Sequence, residues 1–307
     1  MIDRARLRRR ARRAACAAAA TIAIGVVGAL GFIALPLPRD LLARRPATSL
    51  VIVDADGAPL STTANAAGER SLPLERDEVP PLVKSALIAA EDRRFEEHVG
   101  VDVHAIVRAV RDSIDAHRIV SGASTITQQL ARRLVPRERT LFGKAKEALW
   151  ALRLSAHLDK ERVLLEYANR IPLGNGTAGV EAASELYFDR PARALSPAQA
   201  ALLAGLAHAP AREDPFRHPD RALHRRNVIL ARMHDDRFID DDVYGRAVAE
   251  PLELAERERV FRAPHFVQAV RASLPARGLR GTVRVEASLE PALQDDIEDG
   301  VADDLGG

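Results

Sequence analysis

The stretch GASTITQQLAR combines small, hydroxyl, carboxamide and basic side chains in a pattern suited to binding an anion. Ser124 or Thr125 can cap a helix whose next turn carries Gln128 and Gln129, and this capping-box arrangement satisfies N–H groups that a helix start leaves unpaired. Thr125, Gln129 and Arg132 follow the spacing i, i+4 and i+7, which places them on one helix face. Free amides at a helix start, together with a guanidinium, suit a phosphate. The alternative is a well-capped surface helix without a ligand.

A carboxylate stands at the end of a helix predicted upstream of this stretch. Pro80 and Pro81 can open that helix, apolar residues within 82–90 form its buried stripe, and Glu91 closes it. A carboxylate at a helix C-terminus faces the negative end of the helix dipole, which favours its accepting a proton. The alternative is a solvated charge, but a dense charged block that closes an apolar helix often marks a functional site.

The charged block that begins with Glu91 reads EDRRFEEHVG. Its histidine, His98, has the chemistry of an acid or a metal ligand. No residue at metal-ligand spacing accompanies it, so a structural histidine is the alternative.

A lysine and a glutamate lie one turn apart on the longest helix predicted for the body, residues 139–158. If Lys144 and Glu147 formed an exposed ion pair, it would contribute at most about 0.2–0.5 kcal/mol. The same helix is predicted to have a leucine core face and a tryptophan anchor: Leu149, Leu152, Leu154 and Trp150.

Hydrophobic periodicity and turn residues predict the elements that must position these groups. A hairpin is predicted at residues 49–62, because Asp56-Gly57 is a strong turn signal between β-rich residues. Residues 101–117 predict an amphipathic helix packed inward through its apolar stripe: Val103, Ile106, Val107, Val110 and Ile114.

Further elements are predicted downstream. They are a helix at 160–171 capped by Asp159, a loop at 172–179, two alanine-rich helices within 181–206, an amphipathic helix at 221–233 with Arg225, Arg226 and Asn227 on its polar side, and a strand leading to a helix at 281–294.

Composition bounds the class of protein. A chain of 307 residues can bury a sizeable core, and scarce aromatic residues beside plentiful alanine, leucine and arginine favour helices. The net charge of +2 is uneven, because residues 1–13 carry +6 and the remainder −4. A mildly acidic body argues against nucleic acid as a partner.

Residues 14–35 contain no charge over 22 positions, and a helix that crosses a bilayer needs about 20. Seven arginines precede this segment, which predicts a cytoplasmic N-terminus and an exported body. A cleaved signal peptide is the alternative, but no clear small-x-small cleavage site lies between Phe32 and Arg39, so an uncleaved anchor is favoured. Cys16 is the only cysteine, so no disulfide can form within the chain.

Five separated blocks resemble the ordered motifs of the peptidoglycan glycosyltransferases. This family occurs as monofunctional enzymes and as the N-terminal module of class A (bifunctional, 1C-like) penicillin-binding proteins. EDRRFEEHVG is similar to its first motif, GASTITQQLAR to its second, RTLFGKAKEALWALRL to its third and DKERVLLEYANRIPLGNG to its fourth. LSPAQAALLAGLAHAPAREDPFRHPDRALHRRNVILARM resembles its closing segment, so the resemblance covers residues 53–233.

The resemblance implies a mainly α fold. It comprises a lysozyme-like glycosyltransferase head, a membrane-proximal jaw that touches the lipid leaflet, one N-terminal transmembrane helix and small β elements before and after the head. The domains expected are a basic cytoplasmic tail at 1–13, a transmembrane signal anchor at 14–36, a linker and β-hairpin at 37–75, the glycosyltransferase domain at 76–235 and a connector at 236–307. The implied location is the cytoplasmic (inner) membrane, with the catalytic domain on its periplasmic or extracellular side.

The resemblance also implies an activity, the polymerisation of lipid-linked disaccharide-peptide (lipid II) into glycan strands. Glu91 would act as general base on the acceptor 4-hydroxyl, and lipid pyrophosphate would leave with inversion. Glu147 would be the second catalytic carboxylate, either orienting Lys144 or holding Mg²⁺ or Mn²⁺ on the pyrophosphate. Substrate-binding roles are implied for Asp92, Phe95, His98, Gly122, Ser124, Thr125, Gln128, Gln129, Arg132, Lys144 and Asn169. The implied partners are lipid II, the nascent glycan, the membrane and other cell-wall synthesis proteins.

Four positions depart from the pattern of the family. Arg132 stands where lysine is common, and Gly143 where a second basic residue often precedes Lys144. Ser155 occupies a position that is usually acidic, and Ala168 one that is usually leucine.

PHFVQAV and then VRVEASLEPALQ, residues 264–270 and 283–294, are similar to the connector before a transpeptidase module, but no Ser-x-x-Lys occurs in the sequence. A lysozyme-like lytic enzyme and a non-catalytic membrane-anchored scaffold are the alternative functions.

Overall fold

The structure is a computed structural model that describes residues 4–42, 49–56, 59–65, 68–74, 78–115, 124–136, 138–255, 263–274, 284–290 and 293–294. Its helices are α1 (Arg4–Ala34), α2 (Pro81–Glu91), α3 (Val103–Asp115), α4 (Ile126–Leu134), α5 (Leu141–His157), α6 (Lys160–Ala168), α7 (Val180–Phe188), α8 (Pro197–Leu206), α9 (Pro219–Asp235), α10 (Asp241–Ala249) and α11 (Pro264–Ser273). Its strands are β1 (Leu50–Val53), β2 (Pro59–Thr63), β3 (Arg70–Ser71), β4 (Pro172–Gly174), β5 (Thr177–Ala178) and β6 (Arg284–Glu286). The predicted mainly α fold is confirmed. Gly57 and Gly122 lie outside the described residues.

The chain divides into two compact units. The first comprises Met1–Leu41 and Phe95–Val163, and the second comprises Leu42–Arg94 and Leu164–Gly307. In the first unit, the segment Cys16–Ala34 of α1 has 19 residues and a mean hydropathy of 2.2, so it is long and apolar enough to cross a membrane.

The end of α1 is fixed to α5. Trp150, the predicted anchor, meets the ring of Phe32 edge-on with ring centroids 5.2 Å apart. The guanidinium of Arg153 lies 4.6 Å from the Phe32 ring centroid and 4.8 Å from that of Trp150. Arg153 also donates to the carbonyls of Leu35 and Pro36, at 3.1 and 2.6 Å. Stacking and hydrogen bonding therefore fix the C-terminal end of α1 against α5.

Helix α3 contradicts one prediction, because its apolar stripe is not packed inward. Val103 is 65% exposed, Ile106 38%, Val107 47% and Ile114 67%. The helix buries the small side chain of Ala105 instead. Hydrophobic periodicity correctly identified an apolar face, but it cannot say whether protein or another apolar phase covers that face. The side chain of Val110 lies outside the described part of the chain.

In the second unit, α2 packs against α8 and α9. Helix α8 is buried on nearly all sides, and Ser196 and Gln199 form a capping box at its start. Arg226 of α9, predicted on a polar face, is 4% exposed and donates to the carbonyls of Val248 and Glu250. That prediction is wrong because guanidinium groups can be buried where carbonyl oxygens accept their N–H groups. Burial lowers the pKa of Arg226.

Two small sheets complete the second unit. Strand β1 pairs antiparallel with β2, which confirms the predicted hairpin, and parallel with β6, so the sheet order is β2-β1-β6. The predicted strand in residues 281–294 is thus confirmed as β6. The predicted loop at 172–179 is instead a hairpin of β4 and β5, whose turn residues Asn175 and Gly176 have φ of 48° and 71°. Asn-Gly favours this type of hairpin turn.

Candidate active site

The start of α4 in the first unit is a complete capping box. The Thr125 hydroxyl accepts from the N–H of Gln128 at 3.1 Å, and the Gln128 carboxamide oxygen accepts from the N–H of Thr125 at 3.0 Å. The same hydroxyl donates to the carbonyl of Gly100 at 2.7 Å. Both side chains are buried. They therefore shape the helix start, which confirms the predicted cap, while Gln129 is half-buried and Arg132 is exposed further along α4.

A lysine, a serine and a buried glutamate form a cluster between α4 and α5. The Lys144 ammonium donates to Ser124 Oγ at 2.7 Å and to the Glu147 carboxylate. The side chain of Glu147 is 1% exposed, whereas that of Lys144 is 41% exposed. The alternative of an exposed ion pair is therefore wrong. An ammonium carries three donors, so it can hold both partners and still donate to an anion.

Gly143 occupies a position where a side chain does not fit. A Cβ atom there would lie 2.1 Å from the carbonyl oxygen of Glu138. The N–H of Gly143 donates to the Thr140 hydroxyl at 3.0 Å, which caps α5. The basic residue frequent here in the family is thus excluded by this backbone, and Lys144 supplies the positive charge at the start of α5.

The loop that leads into α3 is held from α6. Lys160 donates to the carbonyls of Phe95 and His98, and its ammonium lies 4.5 Å from the Phe95 ring centroid. His98 Nδ1 accepts from the N–H of Gly100 at 3.1 Å. Gly100 has a φ of 98°, and a Cβ atom there would lie 2.6 Å from the Ala151 carbonyl oxygen. Phe95 and His98 are both buried, so in this structure they shape the loop.

Glu91 belongs to the second unit and is the last residue of α2, as predicted. Glu91 as a whole is half-buried, its carboxylate oxygen Oε1 is buried, and the N–H of Asp92 donates to the Ile88 carbonyl at 2.9 Å. Arg232 of α9 donates to the carbonyls of Ala89 and Ala90, at 3.4 and 3.1 Å. Burial and neighbouring arginines lower the pKa of Arg232, and the charges of Glu91 and Asp236 partly oppose that shift. The charge of Glu91 therefore lies within the electrostatic reach of Arg232.

Asn169 has a contact that the motif pattern does not reveal. Its side-chain oxygen accepts from the N–H of Leu74 at 2.9 Å, which ties the end of α6 to the segment after β3. Beside it, Arg170 forms a buried ion pair with Glu166 and donates to the Leu42 carbonyl at 3.0 Å. The motif pattern did not indicate Arg232 or the bond from Arg170 to Leu42, because these acceptors are backbone carbonyls distant in sequence.

The donor set around Glu147 does not fit a divalent cation held by the protein alone. Its carboxylate bonds the Lys144 ammonium, and Mg²⁺ prefers several oxygen ligands. Among the described residues, no three histidine, cysteine or acidic side chains gather in a group suited to a metal. Dependence on Mg²⁺ or Mn²⁺ stays a prediction.

Comparison with known proteins identifies the class that these features define. The family model described as Transglycosylase matches residues 56–234, so the chain belongs to the transglycosylase family. Penicillin-binding protein 1A of Aquifex aeolicus is 41% identical over 78% of this chain and 32% of its own length. Penicillin-binding protein 1B of Escherichia coli is 40% identical over 68% of this chain and 26% of its own length.

The curated relatives are longer proteins, and this chain spans about a third of their length or less. A crystal structure of penicillin-binding protein 1A from Haemophilus influenzae aligns with 78% of this chain and 26% of that chain, at a TM-score of 0.42 and 22% identity. The family assignment depends on the sequence match alone.

Proposed function

We propose that this chain is a peptidoglycan glycosyltransferase that polymerises lipid-linked disaccharide-peptide (lipid II) into glycan strands. The observation that carries the proposal is the cluster of Ser124, Lys144 and buried Glu147, which lies within the residues matched to the transglycosylase family. A hydrolase that adds water to glycan has no comparable need for a fixed ammonium at a pyrophosphate. The cluster therefore favours the polymerase over the lytic alternative.

In the proposed reaction, Glu91 accepts the proton of the 4-hydroxyl of an acceptor disaccharide. The hydroxyl oxygen bonds the anomeric carbon of the donor from the face opposite the leaving group, and the bond from that carbon to the lipid pyrophosphate breaks with inversion. The pyrophosphate carries away the bonding electrons. General base catalysis contributes about 10²–10⁴-fold.

The Lys144 ammonium is suited to stabilise the charge that develops on the leaving pyrophosphate. The contacts with Ser124 and Glu147 fix its position, so little reorganisation accompanies the reaction. Arg132 lies exposed near the end of α4 and can add a second positive charge for the anion. Gln129 and Asp92 keep their predicted substrate-binding roles as proposals.

The exposed apolar face of α3 supports a membrane-bound jaw in the first unit. Leu141 and Phe142 at the start of α5 are also exposed, at 91% and 82%. The first unit also contains α1, which is apolar enough to cross a bilayer. A lipid leaflet would cover such a surface without a protein partner. The arginine-rich N-terminus then lies in the cytoplasm and the catalytic residues on the other side, and contacts with other cell-wall synthesis proteins stay predictions.

Depth in the bilayer can be measured at α3, because the chain has a single cysteine to remove. After Cys16→Ser, a fluorophore attached at Val103→Cys should be quenched strongly by a quencher carried on lipid chains. A fluorophore at Asp242→Cys, an exposed residue of α10 in the second unit, is the matched control and should be quenched weakly. Equal weak quenching at both positions would contradict the proposed jaw.

The function itself is tested with purified chain in lipid vesicles and lipid-linked disaccharide. The proposal expects glycan polymer, resolved by gel electrophoresis. Loss of turbidity in a cell-wall suspension, with no polymer, would support the lytic enzyme. Neither product from a folded chain would support the scaffold.

A further inference from the structure

Two contacts join the end of α9 to the chain on both sides of Glu91. Before the glutamate, Arg232 donates to the carbonyls of Ala89 and Ala90. After it, Arg93 donates through Nε to both carboxylate oxygens of Asp236, at 2.7 and 3.1 Å. We propose that Arg232 and the Arg93–Asp236 pair are positioning residues that hold the Glu91 carboxylate where it can accept the acceptor proton. This inference rests on the proposed function, because it takes Glu91 as the base.

Arg232 provides hydrogen-bond donors for carbonyls at the C-terminal end of α2. The last carbonyls of a helix lack partners within it. In α2, the Ile88 carbonyl accepts from the N–H of Asp92, and the next two carbonyls accept from the guanidinium of Arg232. A cation at a helix C-terminus is also favoured by the dipole. The backbone turn that carries Glu91 is therefore fixed by a side chain 141 positions later in the sequence.

The pair of Arg93 and Asp236 fixes the chain just after Glu91. Asp236 is the C-cap residue of α9, and its carboxylate faces the flat edge of the guanidinium. This side-chain hydrogen bonding raises the pKa of Arg93. Arg93 is half-exposed, so the pair adds little to stability, and its value lies in fixed geometry.

Such fixation matters because a general base works only within hydrogen-bond reach of the proton it removes. A displacement of about 1 Å can cost about 10²-fold in rate. Arg232 lies four residues before Asp236, so one turn of α9 provides both contacts. Cutting either contact should lower the rate of the chemical step more than it weakens substrate binding.

The first test compares Arg232→Met with Arg232→Lys and with Arg221→Met. Arg221 is exposed on the same helix and serves as the matched control. Arg232→Met should lower kcat for polymerisation about tenfold to a hundredfold, with KM for the lipid-linked disaccharide unchanged within about twofold. Arg232→Lys keeps a cationic donor and should restore part of the lost kcat. A merely structural role would not separate an effect on kcat from an effect on KM.

The second test exchanges the partners of the other contact. Arg93→Asp and Asp236→Arg should each lower kcat, and the double variant should recover most of it. If wild type polymerises and Arg232→Met has the same rate as Arg221→Met, the inference is overturned. An exchanged pair that performs no better than the single variants would overturn it as well.

A measurement without activity separates this inference from the proposed function. Amide hydrogen exchange in a peptide covering residues 88–94 should be faster in Arg232→Met than in wild type and in Arg221→Met. If wild type makes no polymer, the proposed function fails. Unchanged exchange in that peptide would overturn the positioning role of Arg232 itself. Faster exchange together with the loss of kcat supports both.

Discussion

Glu91→Gln is expected to lower kcat for glycan polymerisation by about 10²–10⁴-fold, because a carboxamide cannot accept the acceptor proton. Glutamine has nearly the same shape as glutamate, so the end of α2 and its contacts with Arg232 should persist. The measurement is the initial rate of polymer formation at saturating lipid-linked disaccharide. KM should change little, since the lost interaction belongs to the transition state.

The matched control for that variant is Glu97→Gln, an exposed glutamate in the same charged block. It should polymerise at the wild-type rate. If Glu91→Gln and Glu97→Gln were equally active, Glu91 would not be the base, and the carboxylate that accepts the proton would have to be sought elsewhere.

Lys144→Met is expected to lower kcat/KM by about 10²–10³-fold, the usual cost of losing one group that stabilises developing negative charge. The structure supports this expectation because the ammonium is held by Ser124 and Glu147 and yet remains 41% exposed. Lys146→Met removes an exposed lysine from the same helix and is the control. Equal rates for the two variants would contradict the assigned role of Lys144.

Stability has to be separated from catalysis in this experiment. Lys144→Met removes a charged hydrogen-bond partner of the buried Glu147 carboxylate. This loss should lower the free energy of unfolding by about 1–3 kcal/mol. The double variant Lys144→Met with Glu147→Gln also removes the buried charge, so its unfolding free energy should return toward wild type. Its polymerisation should stay low, because the cation for the pyrophosphate is still absent.

Local patterns predicted the parts of the site that depend on neighbours in sequence. The capping box of Thr125 and Gln128, the end of α2 at Glu91 and the hairpin of β1 and β2 all follow from short-range hydrogen bonding. The family itself was predicted from the resemblance to the glycosyltransferases, and the match over residues 56–234 confirms it.

The sequence could not indicate what covers each apolar or charged face. The stripe of α3 has the right period but is exposed, and Glu147, one turn from a lysine, is buried. Long-range contacts were also hidden, such as the parallel pairing of β1 with β6 and the bonds from Arg232 to the end of α2. These depend on tertiary packing, which no local periodicity encodes.

A mass balance on the lipid-linked disaccharide tests the proposed polymerase activity most directly. The proposed transfer predicts one lipid pyrophosphate released for each disaccharide joined to a growing strand, measured together over a time course. Release of lipid pyrophosphate with free disaccharide and no strand, or no release at all from the folded protein in vesicles, would contradict a glycan polymerase.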